Sequence, residues 1–176
     1  MELNRPIIYV ADMMLDECGG GAELTSDAIL QSSPYEIITY KSRQLNVDIV
    51  QKHLEKYWII GNYFEISDRI KIILIKNVNY SVIEYDYKYC KHRNEDFCIL
   101  LKGACNCIQN QESNINGLIL RHSKYIWWMS ESQKYLHHNR MPYLRTNQQD
   151  VLSSVFSCET LNYITELQNT SKNDKY

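Results

Sequence analysis

The sequence predicts a three-layer α/β domain built on a mainly parallel sheet. Three observations carry that expectation. Short apolar runs recur along the chain, segments with helical spacing separate them, and glycines or helix-capping residues stand at the joins. Strands buried on both faces read as continuous apolar runs, and parallel strands need helical crossovers of right-handed sense.

Residues 6–12 (Pro-Ile-Ile-Tyr-Val-Ala-Asp) form the first such run and the first predicted strand. A polar loop then leads to Gly19-Gly20-Gly21 and to residues 22–30, where Ala22, Leu24, Ala28 and Ile29 share a helical face. Strand, glycine turn and helix open a βαβ unit. Residues 35–40 repeat the strand signal, and Asn46 is placed to cap a helix running to residue 56, with Val47, Val50 and Leu54 at helical spacing. Residues 57–62 are the third strand. Ser67 precedes a helix over 68–77, and residues 80–86 are the fourth strand. Later come a helix over 114–122, a strand over 125–130, a helix over 131–139, a short strand over 150–152 and a closing helix over 158–168. Residues 88–113 lack clear periodicity and read as a long functional loop or a small excursion.

At 176 residues the chain fits one domain, expected over 1–168, with a polar tail or linker over 169–176. A net charge of -2 gives no basic field for nucleic acid or an anionic membrane. The opening, Met1-Glu2-Leu3-Asn4-Arg5, is polar on balance, and the longest apolar stretch, 70–75, is interrupted by Lys71 and followed by Lys76. Neither a signal peptide nor a membrane span is expected, which points to the cytoplasm (that of a host, for a virus-borne chain).

Gly19, Gly20 and Gly21 sit where parallel-sheet proteins bind ligands, beyond the carboxyl end of the first strand. Glycine admits close approach of a ligand to the backbone, and the following helix offers unpaired N–H groups to an anion. The run is neither G-x-G-x-x-G nor a P-loop, and the competing reading is a turn that uses left-handed backbone. Glu84 and Asp86, two apart at the end of the fourth strand, would project to one side as paired carboxylates. Lys88 and Arg93 stand close enough in sequence to neutralise a phosphate. A solvated, salt-bridged strand end is the competing reading.

Cys90, His92, Cys98, Cys105 and Cys107 fall within 18 residues, but no C-x-x-C pair occurs. Thiols packing a loop are therefore expected in preference to a metal site, with a structural metal, and a small metal-dependent module built on this loop, as the alternative. Cys18 and Cys158 read as small hydrophobes. His137 and His138, adjacent on a helix, point too far apart to share a metal and are expected at or near the surface. Trp127-Trp128 is expected to be one core ring and one edge ring.

Tyr9-Val10-Ala11-Asp12 followed by Gly20-Gly21-Ala22-Glu23 resembles the opening of GT-B glycosyltransferases of the large retaining family 4 type. Val82-Ile83-Glu84-Tyr85-Asp86-Tyr87-Lys88 is similar to a segment of phage-type members that carries His where this chain has Tyr85. Tyr125 to Ser130, Pro142-Tyr143-Leu144 and residues 151–157 also resemble them, so the likeness covers nearly the whole chain. It implies a Rossmann-like acceptor-side domain that transfers a sugar from a nucleotide-sugar donor to a hydroxyl acceptor. Gly19, Gly20, Gly21 and Glu23 would approach the donor's phosphates, with Lys88 and Arg93 beside them, and Glu84 and Asp86 would lie in the cleft as the catalytic pair. No separate cofactor is implied beyond the donor itself. The resemblance also implies a second, donor-binding domain, expected on another segment, another chain or a dimer partner. A module derived from such an enzyme that binds a nucleotide or a protein without turnover is the alternative.

Overall fold

The structure, a computed structural model, describes residues 6–109 and 111–173; the polar opening and the last three residues of the expected tail lie outside them. Six strands form one sheet: β1 (Ile7–Ala11), β2 (Ile37–Lys41), β3 (Tyr57–Ile60), β4 (Asn79–Glu84), β5 (Ile126–Trp128) and β6 (Gln149–Val151). Their order is β2-β1-β3-β4-β5-β6, and every pairing is parallel. The helices are α1 (Gly21–Ser32), α2 (Val47–Lys52), α3 (Asp68–Asn77), α4 (Glu95–Lys102), α5 (Gln111–His122), α6 (Glu131–Arg140) and α7 (Cys158–Asn173). This is the expected three-layer α/β arrangement, with a sheet parallel throughout.

The register explains why the strands read as unbroken apolar runs. Val10, Ile60, Val82 and Ile126 stand side by side across four strands, all fully buried on the face covered by α2, α3 and α5. Tyr9 and Ile59, one residue back along their strands, point to the other face, where Ile29 and Leu30 of α1 cover Tyr9, Ala11 and Ile83. With both pleats buried, alternation disappears from the sequence. Trp128 lies in the first core and Trp127 lines an apolar recess on the second face with Ile29, Ile59, Ile83 and Leu152. The two rings divide as expected.

Capping sets most of the helix starts. Asn46 Oδ1 accepts Ile49 N–H at 2.9 Å, although α2 ends at Lys52 instead of running to 56. Ser130 Oγ accepts Gln133 N–H at 3.1 Å at the start of α6. Ser67 occupies the cap position of α3 but makes no side-chain cap bond. The helix α7 runs through Asn173, into the segment expected as a tail. Residues 88–113 hold α4 and a short 3-10 turn, Cys107–Gln109, where the sequence showed only irregular chain. Asn94 caps α4 by accepting Phe97 N–H at 3.0 Å, and Gly103, at φ 74°, closes it in the left-handed conformation. No helix among the described residues is long and apolar enough to cross a membrane.

Candidate functional site

From β1 the chain crosses to β2 on one side, while β3 lies on the other side of β1, so the carboxyl ends of β1 and β3 flank a topological switch point. Open parallel sheets bind ligands at such a place. Asp12, the residue after β1, bridges it: its two carboxylate oxygens accept Phe64 N–H at 3.1 Å and Glu65 N–H at 3.0 Å from the loop after β3. Asn62, in the same loop and buried, has its side-chain oxygen without a hydrogen-bond partner.

The glycine turn opens α1 beside this point. Gly20 caps the helix at φ -76° and Gly21 is its first residue, so the triplet uses no left-handed backbone there; Gly103 is the positive-φ glycine among the described residues. No side chain caps α1, and its first helical bond runs from Leu24 N–H to Gly20 O. The N–H groups of Gly21, Ala22 and Glu23 therefore have no partner within the helix. The Glu23 carboxylate folds back over this turn, 2.5 Å from where a Cβ on Gly20 would stand. A carboxylate is the expected side chain at the positive end of a helix.

The second group of expected residues gathers at the end of β4. Glu84 is the last strand residue and is fully buried; Asp86 lies two residues beyond, outside the strand, so the shared-face geometry of a strand does not apply to the pair. What brings them together is Lys88. Its Nζ donates to Glu84 Oε1 at 3.0 Å and is ion-paired with Asp86 Oδ1 at 3.1 Å. Tyr63 donates to Glu84 Oε2 at 2.9 Å, and Lys88 Nζ sits 4.7 Å from the centre of the Tyr63 ring. Arg93 pairs with Asp86 through Nε at 2.6 Å and through its terminal nitrogen, with its guanidinium over the Phe64 ring. Lys88 is thus buried and held by two carboxylates, whereas Arg93 keeps about a third of its side chain exposed (36%). Of the two cations, only Arg93 meets solvent.

Burial pushes Glu84 up to about 7, against the pull of Lys88. Burial acts on Asp86 in the same direction, but Lys88 and Arg93 outweigh it and hold that carboxyl below its ordinary value. Two carboxylates with proton affinities driven apart are the usual basis of an acid/base assignment.

Several contributors were not legible as site residues. Gln133 Oε1 accepts Met129 N–H at 2.8 Å, and its Nε2 donates to Glu84 O at 3.0 Å and Asp86 O at 3.1 Å, tying α6 to the site. The Ser-x-x-Gln spacing at 130–133 was the available signal. His137, expected at the surface or partly buried, is fully buried, stacked on Tyr87 at 5.6 Å, and burial lowers it to about 4. Its ring completes the aromatic packing with Tyr89 and Trp128, an outcome the helix pattern did not reveal.

Tyr85 joins the two groups. Its hydroxyl lies 2.8 Å from Ser26 Oγ on α1, which in turn receives the Tyr9 hydroxyl at 2.5 Å. Gly61 makes room for this chain. A Cβ there would run into the Tyr9 hydroxyl, 3.1 Å from Tyr9 Cζ and 3.4 Å from Tyr85 Cε2. Gly61→Ala is therefore expected to lower stability by about 1–3 kcal/mol, the range for overpacking a filled site. Gly19→Ala, where nothing lies within 4 Å, is expected to stay within about 0.5 kcal/mol. Chemical denaturation of both variants checks the contrast. No family model, no curated protein and no solved structure matches the chain, so its own residues alone speak for what the site does.

Proposed function

We propose that this chain is a glycosyltransferase-like domain, the acceptor-side half of a GT-B enzyme, which works with a donor-binding domain to move a sugar from a nucleotide-sugar to a hydroxyl. One observation carries the reading. The glycine-opened end of α1 and the Glu84–Asp86–Lys88–Arg93 network share one rim, joined by the Tyr85–Ser26 hydrogen bond at the switch point of a parallel sheet. In the transfer, the bond from the sugar to the phosphate oxygen breaks, a bond to the acceptor oxygen forms, and the acceptor's proton passes to the oxygen of the leaving phosphate. Unpaired amides of Gly21, Ala22 and Glu23, with Arg93, are suited to the charge that develops on the leaving phosphate. Asp86, at the mouth, would accept hydrogen bonds from sugar hydroxyls. Glu84 behind it has a proton affinity near neutrality.

A second reading rests on a specific observation. Lys88 spends its charge on two carboxylates, and Arg93 is already paired, which suits a module that binds a nucleotide or a protein without turning anything over.

Isothermal titration with UDP-sugars and GDP-sugars, into the chain alone and with a candidate donor-binding domain, tests the proposal. Binding by one donor class is expected. Gly21→Val, which has open space for its side chain but stands in the path of a phosphate, should weaken it at least about tenfold, roughly 1.4 kcal/mol. Absence of binding by both donor classes under both conditions contradicts the proposal; binding with no transfer in the paired sample favours the second reading.

A further inference from the structure

We propose that Cys90, Cys98, Cys105 and Cys107 form a structural metal site for a thiophilic divalent ion, zinc above all. The reading is independent of the sugar-transfer proposal. The four sulfurs all lie within 4.8 Å of one another. Cys98 and Cys107 sulfurs are 3.7 Å apart, and Cys90 and Cys107 sulfurs 4.0 Å. Four thiolates at about 2.3 Å around zinc stand about 3.8 Å apart along the edges of the tetrahedron. The sulfurs are thus at coordination spacing and far beyond the roughly 2.05 Å of a disulfide bond.

Three pieces of chain supply the ligands, the turn at Cys90, the helix α4 and the stretch from Cys105 to Cys107. Cys90 sits in a closed turn, where its N–H donates to Tyr87 O at 2.8 Å and its carbonyl accepts Arg93 N–H at 2.8 Å, with Arg93 in the left-handed region at φ 54°. Cys98 projects from α4. Cys105 follows the glycine that ends α4, and Cys107 begins the 3-10 turn. Three of the four cysteines are buried and Cys107 is partly so, which limits access of water to the centre.

Binding balances simply. Four thiols lose four protons to solvent, and the ion with four thiolates carries two negative charges. The C-x-C spacing of 105 and 107 hid the set, because the usual sequence signal is a C-x-x-C pair and the cluster is assembled by folding. The consequence for the rim is direct. Lys88 lies two residues before the first ligand and Arg93 three after it, so the metal would anchor the segment that carries both cations to the end of β4.

The test begins with the unmodified chain, expressed in zinc-supplemented medium and purified without chelator. Elemental analysis is expected to give one zinc per chain, released in step with mercurial titration of four thiols. Cobalt reconstitution should give the charge-transfer and ligand-field bands of a tetrahedral thiolate site. Cys107→Ser should lower metal affinity at least about tenfold, as ligand losses do, while Cys18→Ser and Cys158→Ser, both exposed and outside the cluster, keep full stoichiometry. The cobalt spectrum needs no variant, so a variant that misfolds leaves the test intact. Trace metal only, no cobalt bands after reconstitution, and either six freely reactive thiols or disulfides within the cluster by mass would overturn the proposal.

Discussion

Lys88→Met lowers the stability of the domain by about 3–5 kcal/mol, the cost of breaking a buried ion pair by removing one partner. The physical cause is specific. Glu84 is fully buried, and with the ammonium gone its carboxylate keeps only the Tyr63 hydroxyl, while Asp86 leans on Arg93 alone. Glu84 then takes up a proton in the folded state, and the deficit grows with pH because the unfolded chain gives its proton up readily. In the unmodified chain the sign is the same but smaller. Glu84 is raised from 4.5 to about 7 by burial, so between those values the folded state holds more protons than the unfolded state. Stability through this group is full at and below about pH 4.5 and falls as pH rises toward 7. Asp86, held low, works the other way and loses its contribution only as pH falls below the ordinary carboxylate range. Glu84→Gln should flatten the slope between pH 5 and 7, and Glu84→Gln combined with Lys88→Met should recover part of the single-variant loss. Thermal melts across pH read all three. A Lys88→Met melt within about two degrees of the parent, where several kcal/mol predict a shift of roughly ten, contradicts the network as described.

Asp12→Ala is the second large effect, expected at about 2–5 kcal/mol. Both Asp12 oxygens accept backbone N–H groups from Phe64 and Glu65, and Asp12 is buried. Truncation strands two donors at the switch point, each costing about 1–3 kcal/mol. Asp12→Asn retains one acceptor and should recover roughly half. Hydrogen exchange gives a local reading: the Phe64 and Glu65 amides should lose protection more than those of β6. Equal loss everywhere would mean that Asp12 serves global stability and does not staple β1 to the loop after β3.

Much of this architecture was legible because parallel strands leave a strong trace. Residues 58–60 and 80–84 place buried or half-buried side chains on both faces of the sheet, and their largely apolar runs say so without reference to any partner. The bounds of α3 were readable from Ser67 and the spacing of Ile70, Leu74 and their neighbours. The segment 88–113 was opaque for a different reason. Its α4 buries Cys98 and Glu95 while Phe97, Ile99, Leu100 and Leu101 are exposed, so the side chains it buries are not the ones its apolar run would point to. Its order comes in part from contacts distant in sequence, such as Arg140 on Glu95 and Asn116 on Lys88 O. Site residues followed the same division. Glu84, Asp86, Lys88 and Arg93 are close in sequence and were found together; Tyr63, Gln133 and Asp12 reach the rim only because strand order brings β1, β3, β4 and α6 to one edge. No local pattern encodes that order.

The central claim is that the glycine turn and the end of β4 form one ligand-binding rim. Amide chemical-shift mapping during titration with a nucleoside diphosphate tests it most directly. Linked, saturable shifts are expected at residues 19–23, at Tyr85 and at Arg93, with little change at the opposite ends of the strands around Tyr57 and Asn79. Shifts confined to one of the two groups, or centred on the far edge of the sheet, contradict it.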